Sequence, residues 1–288
     1  MTLRKNSIIT IGMPVYNGAD FIKEALDSLL AQTFIDFELI ISDNASTDST
    51  ELICCDYIKK DSRIKYIRQT QNLGALQNFQ FVLDEAVGEY FMWAACDDKW
   101  SEAWVLTLYE KLKQIQKSAV FGKLIQINEF SEPISHPATK NTFNFTGNAL
   151  NRKFRFFLEY EGNGKANLFY SMFRTEELKH INLLQYEQDY YALFDWLNNM
   201  QFLPVNEAFL YKRIHSAGQG IVKHKSIFIK LINVLTLKTV LSRFNNALGY
   251  LKYSCGFEKL IMALLIPIKI FLDHISYLKH ILITLQKR

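Results

Sequence analysis

GEYFMWAACDDKW, Gly88 to Trp100, decides how this chain is read. A largely apolar run passes directly into two adjacent aspartates, Asp97 and Asp98, followed by Lys99 and Trp100. The run before them has the composition of a strand covered on both faces. Two negative charges at the end of such a strand repel one another unless a positive group stands between or beyond them. What that group is depends on what the neighbouring segments bring to the same place.

Upstream of this stretch the chain alternates between strand and helix signals. SIITIGMPV, ending near Pro14, is a short β-branched run. NGADFIKEALDSLLAQT then sets Phe21, Ile22, Ala25, Leu26, Leu29 and Leu30 on one helical face. FELIISD is the second strand, and Asp48 three residues before Glu51 predicts a capping box for a helix through Lys60. RIKYIRQ is the third strand, ALQNFQFVLDEAV the third helix and EYFMWAAC the fourth strand. This alternation predicts an α/β fold, a mostly parallel sheet flanked by helices. Right-handed crossovers place its functional loops at the carboxyl ends of the strands. Asn17 follows the first strand, Asp43 closes the second, Arg68 the third, and Asp97–Asp98 the fourth. Four polar or charged residues at one edge point to a site rather than to ordinary solvation of strand ends.

Beyond Ser101 the pattern loosens. A helix is expected at Trp104–Lys117 and a strand near Ala119–Ile127, followed by an irregular Ser/Pro/Asn/Thr-rich stretch. NLFYSMFR reads as a strand, YEQDYYALFDWLNNM as a helix and PVNEAFLYKRIH as another strand. The expected division is a nucleotide-binding half over 1–100, an acceptor-binding half of the same domain over 101–220, and a basic amphipathic helical extension over 221–288.

The whole chain has 288 residues, 49% hydrophobic and 14% aromatic, which excludes disorder as its main state. Cys54, Cys55, Cys96 and Cys255 lack metal-ligand spacing and fit a reducing compartment. The N-terminus lacks the apolar core of a signal peptide, so the expected location is the cytoplasm. Net charge is +4 but unevenly spread: residues 1–220 hold 22 Lys/Arg against 27 Asp/Glu, and residues 221–288 hold 11 against 2. A basic end of that kind is suited to a negative surface.

The strand-end constellation suits a nucleotide diphosphate carried with Mg²⁺ or Mn²⁺, an ion held by one or two carboxylates plus substrate phosphates. On this reading the ion relieves the repulsion between Asp97 and Asp98. Two solvated aspartates in a turn are the alternative for the pair taken alone.

PVYNG, SDNASTD, RQTQNLG, CDDKW, QDYYALFDWL and YKRIHSAG occur here in the order and approximate spacing found in family-2 glycosyltransferases of the GT-A fold. The resemblance spans about Ile8 to Gly220. It implies an inverting, metal-dependent enzyme that moves a sugar from a nucleotide-sugar donor, UDP-linked, to a glycan or lipid-linked acceptor in polysaccharide synthesis. It further implies that Pro14, Tyr16 and Asn17 cradle the nucleobase, with Tyr16 either stacking on it or acting as a core aromatic. Asp43 would accept the imide N–H of uracil, and Arg68 would touch the base or the diphosphate. Asp97 would take the ribose or the metal, and Asp98 the metal directly. His215 stands as a second metal or phosphate ligand or as a structural histidine, and Arg213 as a diphosphate contact. Gly162 and Asn163 would lie near the donor and acceptor sugars. Asp189 is the candidate base that removes the acceptor proton. Its alternative is an acid favoured by a helix N-terminus.

Two departures from the family pattern stand out. Ala95 occupies the place of the first acid in the usual Asp-x-Asp-Asp, and Gln188 replaces the acid before Asp189. They keep open a catalytically degenerate homologue acting as a membrane-surface or subunit-binding module. A nucleotidyltransferase would need a Gly-rich basic loop after the first strand, which PVYNGADF lacks. The Gln-x-x-Arg-Trp motif of processive synthases is also missing, which favours single additions.

In the basic extension, Lys269 and Asp273 interrupt KLIMALLIPIKIFLDHISYLKHILITLQKR, and no run is expected to reach membrane-spanning length. Lys269, Asp273, Ser276 and His280 form one polar stripe. That pattern suits a helix in the membrane interface with its lysines at anionic headgroups, on the inner face of the cell membrane. It equally suits a helix packed on the catalytic body or in a homo-oligomer. Its apolar content argues against nucleic acid as the partner.

Overall fold

A computed structural model describes residues 7–214 and 237–285. The first half follows the alternation in the sequence: β1 Ile9–Val15, α1 Ile22–Leu30, β2 Phe37–Asp43, α2 Thr50–Ile58, β3 Ile64–Arg68, α3 Ala75–Asp84 and β4 Tyr90–Trp93. The second half holds β5 Lys99–Trp100, α4 Trp104–Leu112, β6 Ser118–Ile127, α5 Ala149–Leu158, β7 Phe173–Arg174, α6 Thr175–Leu178, α7 Asp189–Trp196 and β8 Gln201–Arg213. Two C-terminal helices follow, α8 Leu237–Leu251 and α9 Gly256–Leu285.

The main sheet has the order β3-β2-β1-β4-β7. Its first three pairings are parallel, and β7 joins antiparallel at the β4 edge. Every residue of β1 is buried, as its neighbours on both sides and helices on both faces require. On one face α1 docks through Ile22, Ala25, Leu26 and Leu29. On β1 itself, a Cβ at Gly12 would stand 2.8 Å from the Val82 side chain, so only glycine admits α3 this close. A three-stranded sheet, β5-β8-β6, completes the fold, and a bridge between Val120 and Met172 links it to the main sheet.

Three local expectations are corrected. The capping box at Asp48 does not form: Asp48 accepts from the Thr50 backbone N–H and from Ala19, tying two loops together, and α2 starts at Thr50. NLFYSMFR is not one strand, because residues Lys165–Tyr170 wind into a 3-10 helix before the two-residue β7. The winding follows from the buried Lys165, whose ammonium donates to the Phe156 and Glu159 carbonyls and pairs with Glu161. Third, α9 includes a 24-residue stretch, Gly256–Lys279, long and apolar enough to cross a membrane. Lys269 and Asp273 do not interrupt it, since they pair with each other one turn apart at 2.7 Å.

The extension shares the core of the second half. Tyr250 of α8 is fully buried among Phe156, Phe157, Phe194 and Tyr191, with ring centroids 5.0 to 6.4 Å away.

Candidate active site

Parallel register brings the expected residues to one edge. Val15 pairs with Asp43, and Asp43 with Arg68, so β1, β2 and β3 end in one row. On the other side of β1, Gly12 pairs with Trp93, and β4 runs on toward Asp97 and Asp98.

Asp43 stands at this edge but is fully buried and already engaged. Its carboxylate accepts from the Ser46 N–H at 2.8 Å, the Tyr66 hydroxyl at 2.6 Å and the Arg68 guanidinium at 2.9 Å. Arg68 also donates to the Ser46 carbonyl and pairs with Glu51. The expectation that Asp43 meets a base directly is therefore corrected for this conformation: its oxygens orient Arg68 and the β2–α2 turn. Asn17, in the left-handed region at φ 51°, accepts from Thr47, so its side-chain oxygen fastens two loops. Beside these residues lies a cavity of about 260 Å³ lined by Pro14, Val15 and Tyr16, by Asn44, and by Asn72, Gly74, Ala75, Asn78 and Phe79. Tyr16 is 48% exposed on its rim, which removes the core-aromatic alternative. Sequence reading passed over Asn72 and Asn78. Their signal was the quoted RQTQNLG and the helix start beyond it.

β8 pairs with β5 through Lys99–Tyr211, which sets its last residues beside Asp97 and Asp98. Lys212 Nζ meets Asp98 Oδ2 at 2.9 Å, and the Arg213 N–H donates to Asp98 Oδ1 at 3.0 Å. The positive group at the pair is a lysine of the chain. Burial raises the Asp98 carboxyl to about 6, against the pull of Lys212 and with the help of Asp97. The ion pair lifts Lys212 well above its ordinary value despite its burial.

The Lys212 ammonium lies 5.1 Å from the centre of the Tyr170 ring. Burial raises the Tyr170 hydroxyl, and Asp98, Asp189 and Asp97 act on it in the same direction. Lys212 opposes them, so Tyr170 lies within electrostatic range of acids from the end of β4 and the start of α7 and of the lysine that pairs with Asp98. Asp189 is the first residue of α7, exposed at its rim; crowding by the protein raises its carboxyl, and Lys212 draws it back. The sequence reading named neither Lys212 nor Tyr170. Lys212 lies within YKRIHSAG, and Tyr170 within NLFYSMFR, whose aromatic composition predicts a strand.

Two further expectations are corrected. Arg213 is not presented to a ligand: its five N–H groups reach Asp97 O, Asn128 O, Glu129 O, Glu24 Oε2 and Ser131 Oγ. It is a buried brace beneath the site. Asn163 donates to Glu159 Oε1, while Gly162 borders a second cavity of about 210 Å³ walled by Tyr190, Arg243, Lys269 and Asp273. His215 lies outside the described residues. Among the described residues no group of three or more His, Cys, Asp or Glu is placed to hold a metal ion. Both Asp98 oxygens are engaged by Lys212 and the Arg213 N–H, so a divalent cation would reach this carboxylate only by displacing Lys212. Lys212 stands where the sequence reading put the ion.

Residues 10–181 match the family model described as Glycosyl transferase family 2. The chain is similar to the poly(ribitol-phosphate) beta-glucosyltransferase of Bacillus spizizenii, 38% identical over 132 residues, which is 44% of this chain and 20% of that protein. The chain spans less than half the length of the curated relatives it matches. Among solved structures, Staphylococcus aureus TarS 1–349 in complex with UDP-GlcNAc aligns with a TM-score of 0.59 at 18% identity, over 86% of this chain and 68% of that one. The Pyrobaculum calidifontis mannosyltransferase PcManGT, in complex with GDP-Man and Mn²⁺, aligns at 0.58 and 15% identity, over 99% and 75%. These structures share the GT-A architecture of a mostly parallel sheet with flanking helices.

Proposed function

The chain belongs to glycosyl transferase family 2, and from that premise we propose an inverting transferase, hexosyl or related, acting on a UDP-linked donor. The acceptor is a glycan or lipid-linked saccharide of cell-surface polysaccharide synthesis, met on the cytoplasmic side of the cell membrane. The buried Lys212–Asp98 pair at the carboxyl end of β4, with Tyr170 against Lys212 and Asp189 opening α7, carries this reading.

In this scheme the nucleoside occupies the cavity beside β1, its base against Tyr16 and Pro14, with the Asn72 amide N–H groups reading a polar edge while Asn44 and Asn78, tied to Asn72, Leu73, Gly74 and Ser42, shape the wall. Asp43 acts through Arg68, holding it toward the nucleotide, and Asp97 serves the ribose. Asp189 removes the proton from the acceptor hydroxyl as that oxygen attacks the anomeric carbon. Its raised pKa makes it a better proton acceptor than an ordinary carboxylate. Lys212, with one N–H on Asp98, turns its remaining donors to the departing diphosphate and stabilises the charge that develops there. UDP in the TarS complex supports the choice of donor class.

A panel of nucleotide-sugars assayed by release of nucleoside diphosphate tests the proposal, with Asp189→Asn as control. A second reading, a degenerate homologue that binds without turnover, draws on the engagement of Asp43 and Asp98 by protein partners. UDP binding by calorimetry with no release from any donor would favour it.

A further inference from the structure

α9 is inverted relative to a helix that closes a soluble core. Met262, Ile266, Lys269 and Asp273, spaced at i, i+4, i+7 and i+11, are buried on the protein side. Lys269 pairs with Glu161 and Asp273 and donates to the Glu159 carbonyl. The opposite side carries Phe257, Leu260, Leu264, Ile268, Phe271 and Leu278, another helical stripe, with Phe257 72%, Leu264 69% and Phe271 63% exposed. On neighbouring α8, Leu241, Phe244 and Leu248 are exposed at the same spacing. Only 22% of the most apolar window of α9 is buried. An apolar face of this extent marks an interaction surface.

Charge selects its occupant. The only acids of residues 221–288 are Glu258 and Asp273, and both are spent inward, Glu258 on the buried Lys153 at 2.6 Å and Asp273 on Lys269. Lys259 and Lys279, near the two ends of the stripe, are exposed. We propose that the outer face of α8 and α9 docks on the surface of a bilayer rich in anionic lipid, with α9 lying in the interface plane and not crossing the membrane. The buried stripe excludes a crossing: residues 262 to 273 are held against the catalytic body along the middle of the helix, so a span would drag the body into the hydrocarbon. The sequence-based picture of Lys269 reaching headgroups is thereby reversed, because the lysine points in and the leucines point out. The same two helices close the cavity at Tyr190, the neighbour of Asp189. Granting the reading of Asp189 given above, docking holds the acceptor side of the enzyme at the lipid.

Flotation of the full chain with vesicles tests this, using phosphatidylcholine alone and phosphatidylcholine with about 30% phosphatidylglycerol. The chain should float with the anionic vesicles and at least tenfold less with the neutral ones, and alkaline carbonate should release it. Leu264→Glu/Phe271→Glu should abolish flotation while the thermal melt and UDP affinity stay unchanged, as both side chains lie outside the core. Lys259→Glu/Lys279→Glu should weaken it several-fold. UDP affinity is read separately, so loss of docking and failure of the transferase reading remain distinct. Retention after carbonate would overturn the in-plane arrangement. A dimer dissolved by the Leu264/Phe271 pair, with no flotation of the wild type, would assign the face to a second copy.

Discussion

At the scale of single residues, Lys212 carries the strongest consequence. Its ammonium occupies Asp98, so a divalent ion and Lys212 compete for one carboxylate. Lys212→Met should therefore lower the Mn²⁺ concentration that gives half of the metal effect on UDP binding by about tenfold, near 1.4 kcal/mol. Calorimetry in EDTA and across a Mn²⁺ series measures it, and an unchanged metal midpoint would show that the lysine does not guard the site. Asp189 is tested on a different axis. Asp189→Asn should remove turnover by about 10²-fold or more while UDP affinity is retained. Because a base works deprotonated and the protein raises this carboxyl, the wild-type rate should fall on acidification at a pH above the ordinary carboxylate range. An acid limb at the ordinary value would tell against Asp189. The sequence disclosed where these acids stand, since strand ends in parallel register share an edge. It did not disclose their partners. Whether Asp98 meets an ion or Lys212 depends on β8, more than 100 residues away, pairing beside β5.

Among elements, the first four strands and three helices were legible because each has one dominant period and a clear break after it. The segment Asn167–Arg174 was not, since its aromatic, β-like composition is overridden by one buried lysine that winds the chain around carbonyl acceptors. That lysine belongs to a cluster joining the 3-10 turn at Glu161 to α9. Glu161, Lys165, Lys269 and Asp273 alternate in sign, and together they hold the middle of α9 to the body. Burial opposes ionisation of Glu161, yet Lys165 and Lys269 bring its carboxyl down to about 2. A depressed carboxyl contributes stability that is present above its unfolded value near 4.5 and is lost as pH falls from there toward 2. Lys269→Met leaves Asp273 and Glu161 short of a buried partner and should cost about 3–5 kcal/mol. Urea unfolding at pH 7 reads this directly, and Lys269→Met/Asp273→Asn should recover part of the loss. If the single substitution proves neutral, the cluster does not hold α9.

For the molecule as a whole, the sequence presents residues 221–288 as an extension and the structure makes α8 a wall of the core. Charge asymmetry is a property of the surface, and it says nothing about the aromatic ring on the other side of the helix. Tyr250 closes a cluster of Phe156, Phe157, Phe194 and Tyr191, and its hydroxyl reaches Glu161 at 3.2 Å. Gly249 beside it permits this approach, because a Cβ there would fall 1.9 Å from the Tyr191 hydroxyl. Removing residues 237–288 would uncover Phe156, Phe157 and Phe194, leave Lys153 without Glu258 and leave Glu161 without Lys269. The main sheet, which carries the nucleotide cavity, loses no strand in that deletion. A chain ending at 236 should accordingly lose its single cooperative melt and expose apolar surface to a dye, with damage concentrated in α5 and α7 by hydrogen exchange and amides of β1 and β2 still protected. Tyr250→Ala, a milder form of the same injury, should cost about 3–5 kcal/mol. If the shortened chain instead melts once, at the temperature of the full one, and binds UDP equally well, then α8 and α9 serve attachment alone and the catalytic body is complete without them.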